Sequence, residues 1–351
     1  MSCAMLQAST PSRQARPATH NYARFISTRA RARGFVRTSA TASVGNSTPQ
    51  QQVPASDPLN DLLACPVCFQ PVQRGVGKNK AWTCTPCALS YPDKGTFAEM
   101  VLESNASVDG GAEQGRGTYA EQRILGTTTF ERPQVSFAYE RGWRQSFSWA
   151  GFPGADREYA MASEFLETTP SGPFLDLSCG SGLFTRRFAS SGKWSPVVAA
   201  DFSEAMLSET AERMRAESTS GVKLVRADAR RLPFRSACFA AIHAGAAIHC
   251  WPQPELCVAE VARTLKPGGM FVGSTFLTPL SRLGQFLGDD SAVAPIEQLA
   301  GDQLWGGRGE YKFWTERELR DVCARAGLKD FRCTRDQQYI MFCAVKGDPT
   351  V

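Results

Sequence analysis

Phe174-Leu-Asp-Leu-Ser-Cys-Gly-Ser-Gly182 passes from an unbroken apolar start into a turn of small residues. Phe174–Ser178 reads as a buried strand, and Leu183-Phe-Thr-Arg-Arg-Phe188 as a helix with Leu183, Phe184 and Phe188 on one face. The pattern repeats outward. Pro196–Asp201 is a second apolar strand, followed by a helix with Ser203 as its N-cap and Met206, Leu207, Thr210 and Met214 at helical spacing. Val222–Asp228 and Phe239–Ala244 read as the third and fourth strands. A helix around Leu256–Leu265 ends at Lys266-Pro-Gly-Gly269, before a fifth strand at Met270–Phe276. Arg332–Gln337 and Tyr339–Lys346 finish the sheet as an antiparallel pair. The order strand, helix, strand, helix implies an α/β, mostly parallel sheet whose ligand site lies at the strands' carboxyl ends.

Each of those ends carries a residue type that a nucleoside ligand needs. Gly180 and Gly182 let the backbone approach a ligand with no Cβ in the way. Asp201 ends the second strand, where a carboxylate accepts from ribose hydroxyls, and Asp228 ends the third, where it can hold an adenine amino group. Asp176, beneath the glycine turn, can hold a cationic ammonium group. A dinucleotide site wants a third glycine at position 185, which is Thr185.

With these residues in place, the chain resembles the class I S-adenosylmethionine-dependent methyltransferases. Their first motif is hydrophobic-Asp-x-Gly-x-Gly-x-Gly or a Cys-containing variant, and Leu175-Asp-Leu-Ser-Cys-Gly-Ser-Gly182 matches it except that Ser178 replaces the first glycine. Asp201, Asp228-Ala229 and Leu265-Lys-Pro-Gly-Gly269 fit later motifs, while Ala240 stands where many relatives have Asp. The resemblance covers roughly residues 130–346. It implies a Rossmann-like fold and S-adenosylmethionine as cofactor, held by Asp176, Ser178, Gly180, Gly182, Asp201, Phe202, Asp228 and Ala229. His243-Ala-Gly-Ala-Ala-Ile-His-Cys-Trp-Pro252, Ser136-Phe-Ala-Tyr-Glu-Arg-Gly-Trp-Arg-Gln145 and Tyr339-Ile-Met-Phe-Cys-Ala-Val-Lys346 further resemble a plant and algal group of uncharacterised plastid methyltransferases. That likeness implies a plastid location but supplies no substrate.

Methyl transfer needs alignment above all, and for a phenol or carbon acid a base as well. His243 and His249 flank the end of the fourth strand, and His249 is the better candidate for a base or acceptor-positioning group. The alternative is that His249 caps backbone in a tight loop and His243 packs in the sheet. Tyr139-Glu-Arg-Gly-Trp-Arg144 can fold over the cofactor as a lid, with Arg141 or Arg144 near the methionine carboxylate, or pack as an ordinary helix. The stretch between the fifth strand and a helix capped by Thr315 and Glu318 is long and apolar. It includes Leu280, Leu283, Phe286, Leu287 and Leu304-Trp305, and favours a cap over a small, lipophilic acceptor, with core packing as the alternative.

Ahead of this domain, Cys65-Pro-Val-Cys68 and Cys84-Thr-Pro-Cys87 form two knuckles fifteen residues apart. Four thiolates in this spacing suit one closed, structural zinc site and leave no open position for catalysis. A redox dithiol or a pair of disulfides fits less well. Arg74, Lys78 and Lys80 near Trp82 make a weak stacking-plus-phosphate pattern, set against zero net charge over residues 59–104.

The full chain has 351 residues and a formal charge of +5, but residues 1–56 hold seven Arg and no Asp, Glu or Lys. The remainder carries 32 basic and 34 acidic side chains, so no long-range field draws it to a polyanion. Arg-rich, Ser-rich and acid-free is the composition of an organellar transit peptide. No run is long and apolar enough for a transmembrane helix, which leaves a peripheral membrane contact open. The expected organisation is a disordered transit peptide at 1–56 and a zinc-ribbon-like module at 57–104. A linker and helical lid at 105–170 and the methyltransferase domain at 171–351 follow. The leading expectation is a plastid methyltransferase acting on a small, lipophilic acceptor such as a quinone or prenyl lipid. An RNA methyltransferase docking through the ribbon, and a cofactor-binding protein without turnover, stay open beside it. Oligomeric state is not encoded legibly.

Overall fold

The computed structural model describes residues 57–75, 77, 80–102, 147–148, 150–287 and 312–348. The readings on residues 1–56, on Arg141 and Arg144, and on Leu304-Trp305 lie outside the described residues.

The doubly wound pattern folds as its apolar runs dictate. In chain order the strands are β1 (Gln73–Arg74), β2 (Trp82–Cys84), β3 (Leu89–Tyr91), β4 (Ala98–Glu99), β5 (Phe174–Leu177), β6 (Val197–Asp201), β7 (Val222–Arg226), β8 (Phe239–Ala244), β9 (Leu265–Phe276), β10 (Leu328–Asp336) and β11 (Tyr339–Lys346). The helices are α1 (Leu59–Leu62), α2 (Ala155–Phe165), α3 (Leu183–Ser190), α4 (Glu204–Ala216), α5 (Pro254–Thr264), α6 (Ser281–Leu287) and α7 (Glu316–Arg325). An eight-stranded sheet runs β10-β11-β9-β8-β5-β6-β7-β4. Neighbours from β9 through β4 are parallel, while β11 lies antiparallel between β9 and β10. The order reverses at β5, so the carboxyl ends of β5, β6 and β8 meet in one crevice.

The capping signals hold. Ser203 accepts from the Met206 amide at the start of α4, and Thr315 with Glu318 closes a capping box on α7. One boundary differs from expectation. Lys266-Pro-Gly-Gly269 is not a turn outside the sheet but part of β9, which leaves α5 at Thr264 without a break.

The domain core also starts before residue 171. Phe152, Met161, Ala162 and Leu166 share a cluster with Phe174, Phe188 and Trp194, so α2 packs on α3 as a core helix. The Cys-rich segment is likewise continuous with the main sheet. Its own three-stranded sheet is β1-β2-β3, and β4 then pairs in parallel with β7. Leu62, Leu63, Cys65, Trp82 and Met100 join the cluster containing Phe234, Phe239 and Ile242. Burial of these side chains at roughly 25 cal/mol per Å² of apolar area secures the module to the sheet's edge. Among the described residues, no helix is long and apolar enough to cross a membrane.

Candidate cofactor site and metal centre

Three residues of the turn after β5 adopt left-handed backbone: Ser178 at φ 57°, Gly180 at 56° and Gly182 at 75°. A Cβ on Gly182 would lie 2.6 Å from Cγ2 of Thr210, so glycine is required there on both counts. Thr210 also donates its hydroxyl to the carbonyl of Gly180 at 2.8 Å. Ser178 takes the strained conformation without being glycine, and its Oγ accepts the indole N–H of Trp251 at 3.0 Å. The departure from the family motif therefore has a use: the side chain ties the turn to the segment after β8.

Asp201 is the pivot of the crevice. Its Oδ2 accepts the Gly180 amide at 2.9 Å and its Oδ1 the Ser203 amide at 2.8 Å. Burial raises the carboxyl to about 6, against the lowering effect of those amides. Each oxygen retains acceptor capacity for a diol. Phe202 follows, with its carbonyl accepting from Arg226 Nε at 2.9 Å and its ring 5.5 Å from the Arg226 guanidinium. Arg226 in turn pairs with Glu99 of β4 at 3.0 Å.

Asp228 and Asp176 both have protein partners. Arg230 grips both oxygens of Asp228, through its amide at 2.8 Å and through Nε and Nη2 at 3.1 and 2.7 Å. Asp228 thus meets any adenine as half of a buried ion pair, beside a partly exposed Ala229. Asp176 stands one residue short of the end of β5 and faces α3. It accepts from the Thr185 hydroxyl at 2.5 Å and lies 2.8 Å from His243 Nδ1. Each of its oxygens thus has one partner inside the core.

The two histidines have separate neighbours. His243 is enclosed by Phe184 and Phe188, with ring centroids 4.9 and 5.1 Å away. His249 lies in the 3-10 turn Ile248–Cys250, its Nδ1 3.1 Å from Thr275 Oγ1 and its ring edge-on to Phe276 at 4.8 Å. Desolvation pushes the His249 imidazole down to about 3, so it stays neutral at any physiological pH. Phe276 also meets Phe147 at 5.2 Å and Phe152 at 4.6 Å, and Phe152 meets Tyr339 at 4.6 Å. Beyond β9, α6 exposes Leu283, Phe286 and Leu287, with Phe286 87% accessible.

The four Sγ atoms of Cys65, Cys68, Cys84 and Cys87 all lie within 4.8 Å of one another. Thiolates about 2.3 Å from a tetrahedral zinc sit about 3.8 Å apart, so the set fits one ion. The Val67 amide donates to Cys65 Sγ at 3.4 Å and the Tyr91 hydroxyl lies 3.1 Å from it, contacts that suit a thiolate. Trp82 is 1% exposed and Arg74 is shared between Asp57 and Asp93. Of the weak stacking-plus-phosphate pattern, the aromatic is core and Arg74 is already paired, Lys80 is exposed, and Lys78 lies outside the described residues.

Sequence reasoning missed Thr185, Thr210, Arg226, Arg230 and Arg231 as organisers of the crevice. Arg230 and Arg231 adjoin Asp228-Ala229 and were the most findable. The others act across 9–30 residues with no local pattern.

Residues 175–273 match the family described as Methyltransferase domain. The chain is 35% identical over 344 residues to an uncharacterised chloroplastic methyltransferase of Arabidopsis thaliana, covering 89% of this chain and 90% of that one. A second from the same plant, also chloroplastic and uncharacterised, is 38% identical over 298 residues, covering 81% and 79%. A demethylmenaquinone methyltransferase of Mycolicibacterium vanbaalenii is 37% identical over 131 residues, which are 37% of this chain and 54% of that one.

Proposed function

The chain belongs to the S-adenosylmethionine-dependent methyltransferases, and from that premise we propose that it works in the chloroplast on a small, lipophilic, quinone-like acceptor. The observation that carries the acceptor class is the wall beside β9. A neutral, buried His249 and the ring of Phe276 stand at the strand end, and α6 follows with three exposed apolar side chains. Such a wall suits a flat apolar ring with one or two polar groups better than a charged polymer. The likeness to the demethylmenaquinone methyltransferase supports the same reading.

S-adenosylmethionine supplies a methyl group activated on a sulfonium. In this reading Asp201 would hold the ribose hydroxyls, the Gly180–Gly182 turn would receive the nucleoside, and Phe202 and Ala229 would hold the adenine. Asp176 braces β5, α3 and β8 beneath it. Transfer places the methyl on an acceptor carbon or oxygen, leaves the S–CH3 electron pair on sulfur and releases the acceptor's proton. An imidazole held near 3 is a weak base, so His249 positions the acceptor through its hydrogen-bonding edge. The Cys65/Cys68/Cys84/Cys87 cluster would hold one structural zinc.

The test is to incubate the protein with methyl-labelled cofactor and fractionated chloroplast extract. The expected result is label in the lipid fraction and in an added demethylated naphthoquinol. Label confined to RNA would transfer the reading to the RNA alternative, and no label in any fraction would favour a binding protein.

A further inference from the structure

The first Cys knuckle and the loop that carries Asp228 are bonded to each other. Arg231 Nε donates to the carbonyl of Pro66 at 2.6 Å, and its Nη2 donates to that of Val67 at 2.8 Å. These are the two residues between Cys65 and Cys68. Phe69, directly after the knuckle, lies between two guanidinium groups, 5.4 Å from Arg231 and 4.3 Å from Arg263. Arg263 donates onward to the carbonyls of Leu232 and Phe234. The Ala64 amide donates to Pro233 O at 2.9 Å, and the Arg235 amide to Leu62 O at 2.9 Å. At the other end of the loop, the Arg231 amide bonds to the carbonyl of Asp228 at 3.0 Å.

The contact is thus a chain of short steps from metal ligand to crevice. The ligands Cys65 and Cys68 flank the carbonyls that Arg231 holds, and Arg231 is anchored to Asp228. A bidentate guanidinium fixes direction as well as distance, which a single ammonium does not. The turn that aims both knuckle carbonyls at Arg231 is held by the Phe69 amide on the Cys65 carbonyl and the Cys65 amide on the Gln70 carbonyl, each at 2.8 Å, and a metal on both thiolates would fix it further.

We propose that Arg231 is a positioning residue for the cofactor site: through it the metal-loaded Cys65–Cys68 knuckle sets the Asp228–Ala229 edge. Metal binding and nucleoside binding are then linked equilibria, and linkage is reciprocal. Cofactor must tighten the metal by the same factor that metal tightens the cofactor. This inference rests on the reading of the crevice as the S-adenosylmethionine site.

The experiment uses the full zinc-loaded chain. Zinc affinity is measured by equilibrium competition with a chromogenic chelator, with and without saturating S-adenosylhomocysteine, whose own binding is followed by calorimetry. The wild-type protein should bind one zinc, and S-adenosylhomocysteine should tighten it about fivefold or more. Arg231→Ala should still bind one zinc but lose that dependence, and Arg231→Lys should retain part of it. Zinc affinity indifferent to a ligand that calorimetry shows to bind would overturn the proposal, as would full dependence in Arg231→Ala or a wild-type chain that takes up no zinc. Should Arg231→Ala not fold, the wild-type comparison and Arg231→Lys still decide. Failure of S-adenosylhomocysteine to bind the wild-type chain at all is a different result, and overturns the reading of the crevice itself.

Discussion

Nδ1 of His243 lies 2.8 Å from Oδ1 of Asp176, and the two side chains are 1% and 2% exposed. The pair joins β8 to β5 across the middle of the sheet, directly under the glycine turn. Thr185 brings α3 into the same carboxylate. The conspicuous acid of the first motif is therefore a brace, and the crevice above inherits its shape from it.

Asp176→Ala leaves a buried imidazole and a buried hydroxyl without their acceptor. The expected cost is about 3 kcal/mol of stability. Urea unfolding checks it, and a loss below about 1 kcal/mol would show that the brace is not needed.

Ser178 gives a paired test. Ser178→Gly relieves the left-handed backbone but removes the acceptor for Trp251, so the two effects of about 1 kcal/mol each oppose one another. Ser178→Ala keeps the strain and loses the acceptor. The alanine variant should unfold at clearly lower urea than the glycine variant, and the reverse order would remove the backbone strain from the account; an alanine variant as stable as the wild type would remove the Trp251 tie.

How much of this was legible in the sequence differs by element. Strands β5 to β9 and helices α3 to α5 are long, periodic or bounded by caps, and their apolar runs carry the sheet by themselves. Strand β4 has two residues and no pattern, because its pairing with β7 is decided by the packing of the Cys-rich segment. Asp201 is legible as a candidate from its position at a strand tip. The tie between Asp176 and His243 is not legible, because the two are 67 residues apart and nothing local announces the pair. Arg231 adjoins a legible site, but its partners are not legible: it binds backbone carbonyls, which every residue has.

His249 is predicted to position and not to titrate. With its imidazole pushed down to about 3, the rate should show no inflection from it between about pH 5 and 8. His249→Gln keeps a hydrogen-bonding group toward Thr275 and should lower kcat by less than about tenfold, whereas loss of a general base costs about a hundredfold or more. A hundredfold loss together with a vanished pH limb would make it the base.

Asp201 predicts a pH dependence of binding. Burial lifts its carboxyl to about 6, and only the ionised form accepts both ribose hydroxyls. Protonation therefore competes with cofactor, and affinity falls as pH falls through 6. Between pH 7 and pH 5 the dissociation constant should rise about tenfold, then level off above pH 7. A flat profile over that range would contradict the role given to this carboxylate.

The central claim is that Asp201 and the Gly180–Gly182 turn form the S-adenosylmethionine site, and titration calorimetry of the wild-type chain against Asp201→Ala tests it most directly. The prediction is one cofactor per chain for the wild type and a loss of about 2–3 kcal/mol in the variant, from the charge-assisted hydrogen bonds to ribose. Undiminished affinity in a folded Asp201→Ala protein would contradict it.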